Sequence, residues 1–225
     1  MFSGVLQLLF NAADIVVVGQ FAGNESLAAV GSTGSLTNLI VNLFIGLSVG
    51  ANVLVARFYG AGQERELKEM VQTAIATAFG AGVLLIFVGF FVSRPALAWM
   101  GTPEDVISHS VLYMRIYFAG MPFMMVYNFG SAVLRAVGDT RRPLYYLMLA
   151  GVVNVLLNLA FVIWFSMGVA GVATATVISP AISALLVVRC LVMTDSAYRL
   201  VWEGIRIYPD KLVKMVRIGI PAGMQ

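Results

Sequence analysis

Six apolar segments, each long enough to cross a lipid bilayer, are the feature that most limits what this chain can fold into. A membrane-spanning helix needs about 20 mostly apolar residues, because its backbone hydrogen bonds must be made internally where no water is present. The segments, numbered 1 to 6 in chain order, cover residues 2–18, 28–55, 73–92, 111–133, 144–165 and 169–191. The sequence therefore predicts an all-α, polytopic membrane protein with a bundle of six transmembrane helices.

The amino-acid composition excludes most other classes of protein. Hydrophobic residues make up 60% of the chain and charged residues 11%, whereas soluble domains carry about 25% charged residues. The net charge of +3 comes from short stretches beside the apolar segments, and the sequence has no basic stripe with interleaved aromatic residues. We therefore expect the lipid bilayer as a partner and no nucleic acid.

Basic residues are divided unevenly between the two ends of the segments. Twelve of the 14 lysines and arginines follow segments 2, 4 and 6, and only Arg94 and Arg115 lie on the other side. Positive residues concentrate in cytoplasmic loops. We therefore expect a multi-pass protein of the cell (inner) membrane, with its amino terminus and its even-numbered helix ends in the cytoplasm.

Asp14 is the only carboxylate inside an apolar segment, since the other ten acidic residues lie in the connecting stretches. An unpaired charge at the centre of a spanning helix costs roughly 2.5 to 3.5 kcal/mol on insertion scales, so such residues usually mark a path for ions or substrates. Asn11 lies one helical turn away and would share a face with Asp14. Asp14 is therefore the leading candidate for binding a proton or Na⁺, and no other metal is predicted.

Polar residues of segments 5 and 6 lie at a depth similar to that of Asp14. At about 1.5 Å per residue, Asp14, Asn158, Thr174 and Thr176 are roughly 8 to 12 Å from the outer ends of their segments. Amides and hydroxyls in membrane helices often just bond to a neighbouring helix, but a carboxylate joined by several of them is better explained as a proton or cation site. The predicted coupling-ion site consists of Asp14, Asn154, Asn158, Thr174 and Thr176.

Other polar, aromatic and methionine residues within the segments are candidates for lining a substrate cavity. Each of them, taken singly, is explained at least as well by helix packing or by contact with lipid. These candidates are Asn11, Asn38, Asn42, Tyr117, Met121, Asn128 and Ser179.

Glycine and proline residues indicate where the predicted helices pack closely or bend. Gly46 and Gly50 form a GxxxG pattern in segment 2, for which close helix packing is the simplest explanation. Pro122 and Pro180 remove backbone hydrogen bonds and should kink segments 4 and 6.

Five stretches occur in collinear order along the chain: NAADIVVVGQFAGNESLAAVGS, GLSVGANVLVARFYGAGQERE, LRAVGDTRRPL, NVLLN and GVAGVATAT. Together they resemble the bacterial multidrug and toxic compound extrusion (MATE) transporters. The resemblance implies a twelve-helix protein with two six-helix lobes, which exports cationic amphiphilic compounds in exchange for H⁺ or Na⁺. It also implies that Asp14 is the coupling-ion residue and that Asn154 and Asn158 form its polar partner. Some members carry an acid where Asn158 stands, so the site here has one negative charge fewer.

The same resemblance divides the chain into three parts. Residues 1–193 would form the amino-terminal six-helix lobe, 194–210 a cytoplasmic connector, and 211–225 the start of a seventh helix. The expected partners are a carboxy-terminal six-helix lobe, which is missing from this sequence, and small cationic substrates. Besides the coupling ion, no cofactor is expected.

Two other functions are weighed against the antiporter. A flippase for a lipid-linked precursor has the same superfamily architecture, but it would need basic residues to hold pyrophosphate, and Arg115 is the only basic residue near the membrane interior. A membrane enzyme would need a catalytic constellation, whereas the one histidine, His109, lies in an external loop without partners and no HExxH motif or nucleophile turn is present. The chain is therefore not expected to be an enzyme.

Overall fold

Helices make up almost all of the chain that the structure describes. The structure is a computed structural model, and it describes residues 12, 16, 24–102 and 104–223. Within these ranges, residues 24–36, 38–40, 43, 105 and 203 are described by their backbone alone. The described residues contain no β-strand, which confirms the predicted all-α fold.

Seven α-helices, labelled α1 to α7, follow one another along residues 24–102 and 104–223. They are α1 (Asn24–Gly60), α2 (Glu64–Trp99), α3 (Glu104–Ala119), α4 (Met121–Ala136), α5 (Arg141–Leu159), α6 (Gly168–Met193) and α7 (Pro209–Gly223). A π-helical turn at Ala160–Trp164 continues α5, and a short 3₁₀ helix at Trp202–Gly204 precedes α7.

Three helices in the described part of the chain are long and apolar enough to cross a membrane. They are α2, α6 and the continuous stretch Arg141–Trp164, which joins α5 to its π-helical turn. These helices correspond to the predicted segments 3, 6 and 5. Helix α1 covers segment 2 and is apolar over Phe44–Gly60, whereas segment 1 lies outside the described residues apart from positions 12 and 16.

Segment 4, predicted as one helix over residues 111–133, is divided in the structure. Helix α3 ends at Ala119 and α4 begins at Met121. Between them the Gly120 N–H donates to the Tyr117 carbonyl at 3.0 Å, which forms a tighter turn than an α-helix has. Pro122 explains the division, because it has no N–H to donate to the carbonyl four residues earlier and its ring would clash with that carbonyl. Around Pro180, in contrast, α6 continues without a break.

The chain divides into two compact units, and several helices contribute to both of them. The first unit contains Leu84–Met121 and Leu147–Ile182, together with the described residues up to Asn38. The second unit contains Leu39–Val83, Pro122–Tyr146 and the described residues from Ser183 onward. The predicted division into a lobe, a connector and a seventh helix stays a prediction.

In the second unit, glycines bring the backbones of α1 and α7 into direct contact. A Cβ atom added at Gly219 would lie 2.6 Å from the Cα of Leu47, and one added at Gly46 or Gly50 would overlap the backbone of α7. Such an approach is open only to residues without a side chain. The GxxxG pattern of segment 2 therefore serves packing, as predicted, and its partner is the helix that begins at Pro209.

Candidate functional site

Some predicted site residues fall where the structure gives no side chain. Asp14 and Asn11 lie outside the described residues, and Asn38 is described by its backbone within α1 only. The remaining candidates can be placed. Asn154, Asn158, Thr174, Thr176, Ser179, Tyr117 and Met121 belong to the first unit, whereas Asn42 and Asn128 belong to the second.

Asn154 and Asn158 form a buried pair of side-chain amides on one face of α5. Their spacing of four residues places them one turn apart, and the Nδ2 of Asn158 donates to the Oδ1 of Asn154 at 3.2 Å. Asn158 is fully buried and Asn154 nearly so. The structure thus brings together the two amides that the sequence analysis singled out.

The helix changes its hydrogen-bonding pattern immediately after this pair. The π-helical turn begins at Ala160, two residues beyond Asn158, and its end is marked by the Phe165 N–H donating to the Ala160 carbonyl at 3.2 Å. The chain then reverses through Ser166 and Gly168, whose φ angles are +52° and +54°. Single π-helical turns are rare in proteins, and those that occur are often found at functional sites. The backbone next to Asn158 therefore has an unusual conformation.

The start of α6 returns closely along the end of α5. A Cβ atom added at Gly171 would lie only 2.9 Å from the Cβ of Phe161, so the two elements touch at this point. Asn158 lies one turn before Phe161, and Thr174 lies one turn after Gly171. Because the chain reverses between them, Thr174 is carried on the side of α6 that faces α5, about 5 Å along the helix from that contact.

Thr176 lies on a different side of α6 from Thr174. Two residues correspond to about 200° of rotation around a helix, so the two threonines cannot both face α5. Thr176 shares its face with Ser179, one turn further along. Helix geometry therefore puts the two threonines, which the sequence analysis grouped by depth, on different faces of α6, and their joint assignment to the site stays a prediction.

The hydroxyl groups of this region are bonded within their own helix. They donate to the backbone carbonyl four residues earlier, and the pairs are Thr174 to Ala170 at 2.7 Å, Thr176 to Val172 at 2.9 Å and Ser179 to Ala175 at 2.7 Å. A hydroxyl that donates its proton in this way still has oxygen lone pairs to offer. Pro180 has no N–H, so it gives no helical hydrogen bond to the carbonyl of Thr176. Oxygen atoms rather than donors are thus what α6 can present to a ligand.

Among the other residues predicted to line a substrate cavity, some contact neighbouring residues and one is exposed. Met121 is buried, and Tyr117 stacks on Tyr113 with ring centroids 6.0 Å apart. The Nδ2 of Asn128 donates to the carbonyl of Met124 at 2.9 Å within α4, whereas the side chain of Asn42 is exposed. Their assignment to a substrate cavity stays a prediction.

A charged cluster in the second unit was missed by the sequence analysis. Lys211, at the start of α7, is 2% exposed, and its Nζ lies 2.7 Å from Glu66, 3.2 Å from Glu69 and also in contact with Asp210. The three carboxylates approach within 4.8 Å of one another, a spacing that could hold a metal ion. The ammonium group lies among them in the place such an ion would take, so the arrangement is an ion-pair cluster.

Comparisons with known proteins agree with the predicted class of protein. A family model described as MatE matches residues 1–160 of the chain. The probable multidrug resistance protein YoeA of Bacillus subtilis is 32% identical over 234 residues, which cover 100% of this chain and 50% of that protein. The probable multidrug resistance protein YpnP of the same species is 28% identical over 227 residues, with the same two coverages.

A solved structure supports the similarity at the level of the fold. The crystal structure of MATE in the bent conformation matches with a TM-score of 0.90 and 26% identity, over 97% of this chain and 49% of that chain. The chain spans about half the length of the curated relatives it matches, as expected for one lobe of a two-lobe protein.

Proposed function

The chain belongs to the MatE family, and on that premise we propose that it is one six-helix lobe of a secondary active antiporter. The complete protein would export cationic amphiphilic compounds across the cell membrane in exchange for H⁺ or Na⁺. Relatives named as multidrug resistance proteins support the export of drugs. The half-length match supports a second lobe as the partner with which a substrate path would be completed.

The observation that carries this proposal is the buried amide pair of Asn154 and Asn158 in an otherwise apolar stretch of α5. Burying an amide in apolar surroundings costs free energy unless hydrogen bonds replace those lost to water. Leucine or alanine would pack at both positions without that cost. The two amides bond to each other, and their retention in an apolar stretch supports a polar ligand that enters this part of the first unit.

Oxygen atoms around the pair suit a small hard cation. The amide oxygens lie on α5, the Thr174 hydroxyl lies on α6 one turn after the point where Gly171 meets Phe161, and the π-helical turn interrupts the regular helix next to Asn158. Sites for Na⁺ and H⁺ in transporters commonly use such irregular helix backbone together with side-chain oxygens. Asp14 would add the one carboxylate of the site.

The coupling step follows from the electrostatics of a buried carboxylate. In a low-dielectric pocket an ionised Asp14 is unfavourable, and a proton or a bound Na⁺ removes that cost. A helix arrangement that is disfavoured with the bare anion then becomes accessible, so an ion gradient can bias the protein between two conformations. Cationic substrate that competes for the same negative region would complete the exchange.

Substitution of the amide pair tests this proposal. We expect Asn158→Ala in the complete transporter, reconstituted in proteoliposomes, to raise the ion concentration that gives half-maximal exchange, under an imposed Na⁺ gradient or an imposed H⁺ gradient. Gln63→Ala is the control, because that side-chain amide is exposed and is not among the predicted site residues. Unchanged ion dependence in Asn158→Ala, or an equal change in both variants, would remove the amide pair from the coupling site.

A flippase for a lipid-linked precursor is the alternative function with the same architecture. Such a protein needs basic groups that can hold pyrophosphate. Arg115 is exposed, and its guanidinium lies over the Phe90 ring at 4.4 Å from the centroid, which favours the antiporter. Transport of a pyrophosphate-linked lipid that does not depend on an ion gradient would favour the flippase instead.

A further inference from the structure

A pocket in the second unit lies between the start of α5 and the end of α6. Its volume is about 380 Å³. Two arginines, the only cysteine of the chain and a mixture of apolar and polar side chains form its wall. The lining residues are Arg142, Tyr146, Leu186, Arg189, Cys190, Met193 and Thr194.

Each arginine of the pocket donates a side-chain hydrogen bond to a sulfur atom of the pocket wall. The Nη1 of Arg142 donates to the Cys190 Sγ at 3.3 Å, and the Nε of Arg189 donates to the Met193 Sδ at 3.3 Å. Thiol and thioether sulfurs are weak acceptors, whereas guanidinium groups bond phosphate oxygens strongly and often through two N–H groups at once. A phosphate that entered the pocket would therefore replace weak partners by strong ones.

One side of Arg142 is held in place while the other faces the pocket. Its Nε lies 3.3 Å from the Oδ2 of Asp139, and the Oδ1 of the same carboxylate accepts the Arg142 backbone N–H at 3.1 Å. Asp139 thereby orients the guanidinium and caps the start of α5. The Nη1 group on the other side is the one that reaches Cys190, so it is available to a ligand without loss of the ion pair.

The charge around the pocket favours an anion. The stretches 139–142 and 189–199 carry Arg141, Arg142, Arg189 and Arg199 against Asp139 and Asp195. The carbonyls at the end of α6 would oppose an anion, but the Nε of Arg199 donates to the Val192 carbonyl at 3.1 Å and offsets part of that effect.

The height of the pocket in the bilayer suits a lipid headgroup. Arg142 lies just before segment 5, and Arg189 and Cys190 lie at the end of segment 6, so the pocket opens where apolar surface meets water. Large hydrophobic side chains on the same two helices are exposed: Leu185 is 67% exposed and Tyr145 is 62% exposed. A phospholipid could place its phosphate at the arginines and an acyl chain along these side chains.

We propose that this pocket binds an anionic phospholipid, whose phosphate is held by Arg142 and Arg189 and whose acyl chain lies along α5 and α6. Basic pockets between transmembrane helices at the membrane surface are suited to such headgroups. The site is separate from the amide pair, so its occupancy does not depend on the proposed transport function.

Cys190 provides a native reporter for this proposal, because a bound headgroup would cover its sulfur. The full-length protein that carries this chain is reconstituted in two kinds of nanodisc. One contains phosphatidylcholine alone, and the other contains phosphatidylcholine with about 30% phosphatidylglycerol. The rate at which a small maleimide modifies Cys190 is followed by peptide mass spectrometry. We expect phosphatidylglycerol to slow the modification several-fold relative to phosphatidylcholine.

Arginine variants show whether the protection arises in the pocket. Arg142→Gln and Arg189→Gln should each reduce the protection of Cys190 by phosphatidylglycerol by about fivefold. One basic group at an anionic membrane surface contributes binding free energy of about that size. Each variant is compared with itself in the two lipids, because Arg142→Gln also changes the surroundings of the sulfur. Arg217→Gln, an exposed arginine of α7, is the control and should keep the wild-type ratio.

Three results would overturn the proposal. Equal modification rates in the two lipids would show that the headgroup does not cover Cys190. Protection that survives in both pocket variants would place the lipid elsewhere. Equal protection by inorganic phosphate in phosphatidylcholine nanodiscs would show that the pocket takes free phosphate and not a lipid.

Discussion

At the scale of single residues, Lys211 shows how a charge can be buried in this fold. Its side chain is 2% exposed and contacts Glu66, Glu69 and Asp210. The neighbouring backbone is held as well, since the Tyr208 N–H donates to the Thr73 hydroxyl at 3.1 Å. These contacts fix the start of α7 against the start of α2 within the second unit.

Removing the lysine should destabilise the second unit strongly. Lys211→Met keeps most of the side-chain volume but leaves three carboxylates close together, of which only Glu69 keeps a cationic partner, Arg65 at 3.0 Å. We expect a loss of about 3 kcal/mol in the free energy of unfolding, at the lower end for a broken buried pair because the carboxylates keep some contact with water. Thermal unfolding in detergent measures the change. Lys214→Met, on the exposed side of the same helix, should change the stability little, and equal effects of the two variants would contradict this role.

The pH dependence of this stabilisation follows from the shifted pKa of Lys211. Burial lowers the pKa of Lys211, but hydrogen bonds with Asp210, Glu66 and Glu69 outweigh it, so the pKa lies above the usual 10.5. A raised pKa stabilises the folded state at every pH below the unfolded value, and the contribution is lost as the pH rises through the folded value. The gap in Tm between wild type and Lys211→Met should therefore stay constant from about pH 6 to pH 9. A gap that closed by pH 8 would show that the lysine is not held in this way.

The sequence could identify the amide pair but not this cluster. Asn154 and Asn158 are four residues apart in an apolar stretch, so their shared face follows from helix geometry alone. The contact between Tyr208 and Thr73 joins positions 135 residues apart, and no local pattern indicates it. In the sequence Lys211 is simply one of the positive charges that follow segment 6.

At the scale of helices, local hydropathy predicts where the long apolar helices lie, but it predicts the breaks within those helices less well. Segments 3, 5 and 6 match helices of the structure because length and apolar content are properties of each segment. The division at Gly120 was indicated by Pro122, but only as a kink. The π-helical turn at Ala160–Trp164 has no comparable signal in its sequence AFVIW, since it depends on how the end of α5 meets the start of α6.

The contact between α1 and α7 gives a test at this scale. A methyl group at Gly50 would overlap the Met215 carbonyl of α7. We expect Gly50→Ala to lower the free energy of unfolding by about 1 to 3 kcal/mol, as overpacking does. Gly80→Ala is the matched control, because no atom lies within 4 Å of the added methyl, and alanine there should be neutral or stabilising. Thermal unfolding that ranks the two variants in the opposite order would contradict the contact.

At the scale of the whole molecule, the fold is that of one half of a MATE transporter, and its orientation in the membrane rests on the distribution of basic residues. Gln63, between α1 and α2, and Ser108, in α3, are both exposed. The charge distribution predicts that the first lies in the cytoplasm and the second outside.

Labelling of single cysteines tests that orientation. In a Cys190→Ala background, Ser108→Cys should react with an impermeant maleimide in intact cells, and Gln63→Cys should react only after the cells are opened. Reaction of Gln63→Cys in intact cells, alone or as fast as Ser108→Cys, would reverse or exclude the proposed topology.

The central claim is that a single carboxylate, Asp14, couples an ion gradient to export. Asp→Asn keeps the shape and most hydrogen bonds but removes the charge, so a structural role would tolerate the change and the loss of a buried anion could even stabilise the protein. The decisive measurement is efflux of a cationic substrate from proteoliposomes containing the complete transporter, under an imposed H⁺ or Na⁺ gradient, with Asp195→Asn in an exposed stretch as the control. We predict that Asp14→Asn folds normally but loses gradient-driven efflux while Asp195→Asn keeps it; near-normal efflux by folded Asp14→Asn would contradict the account.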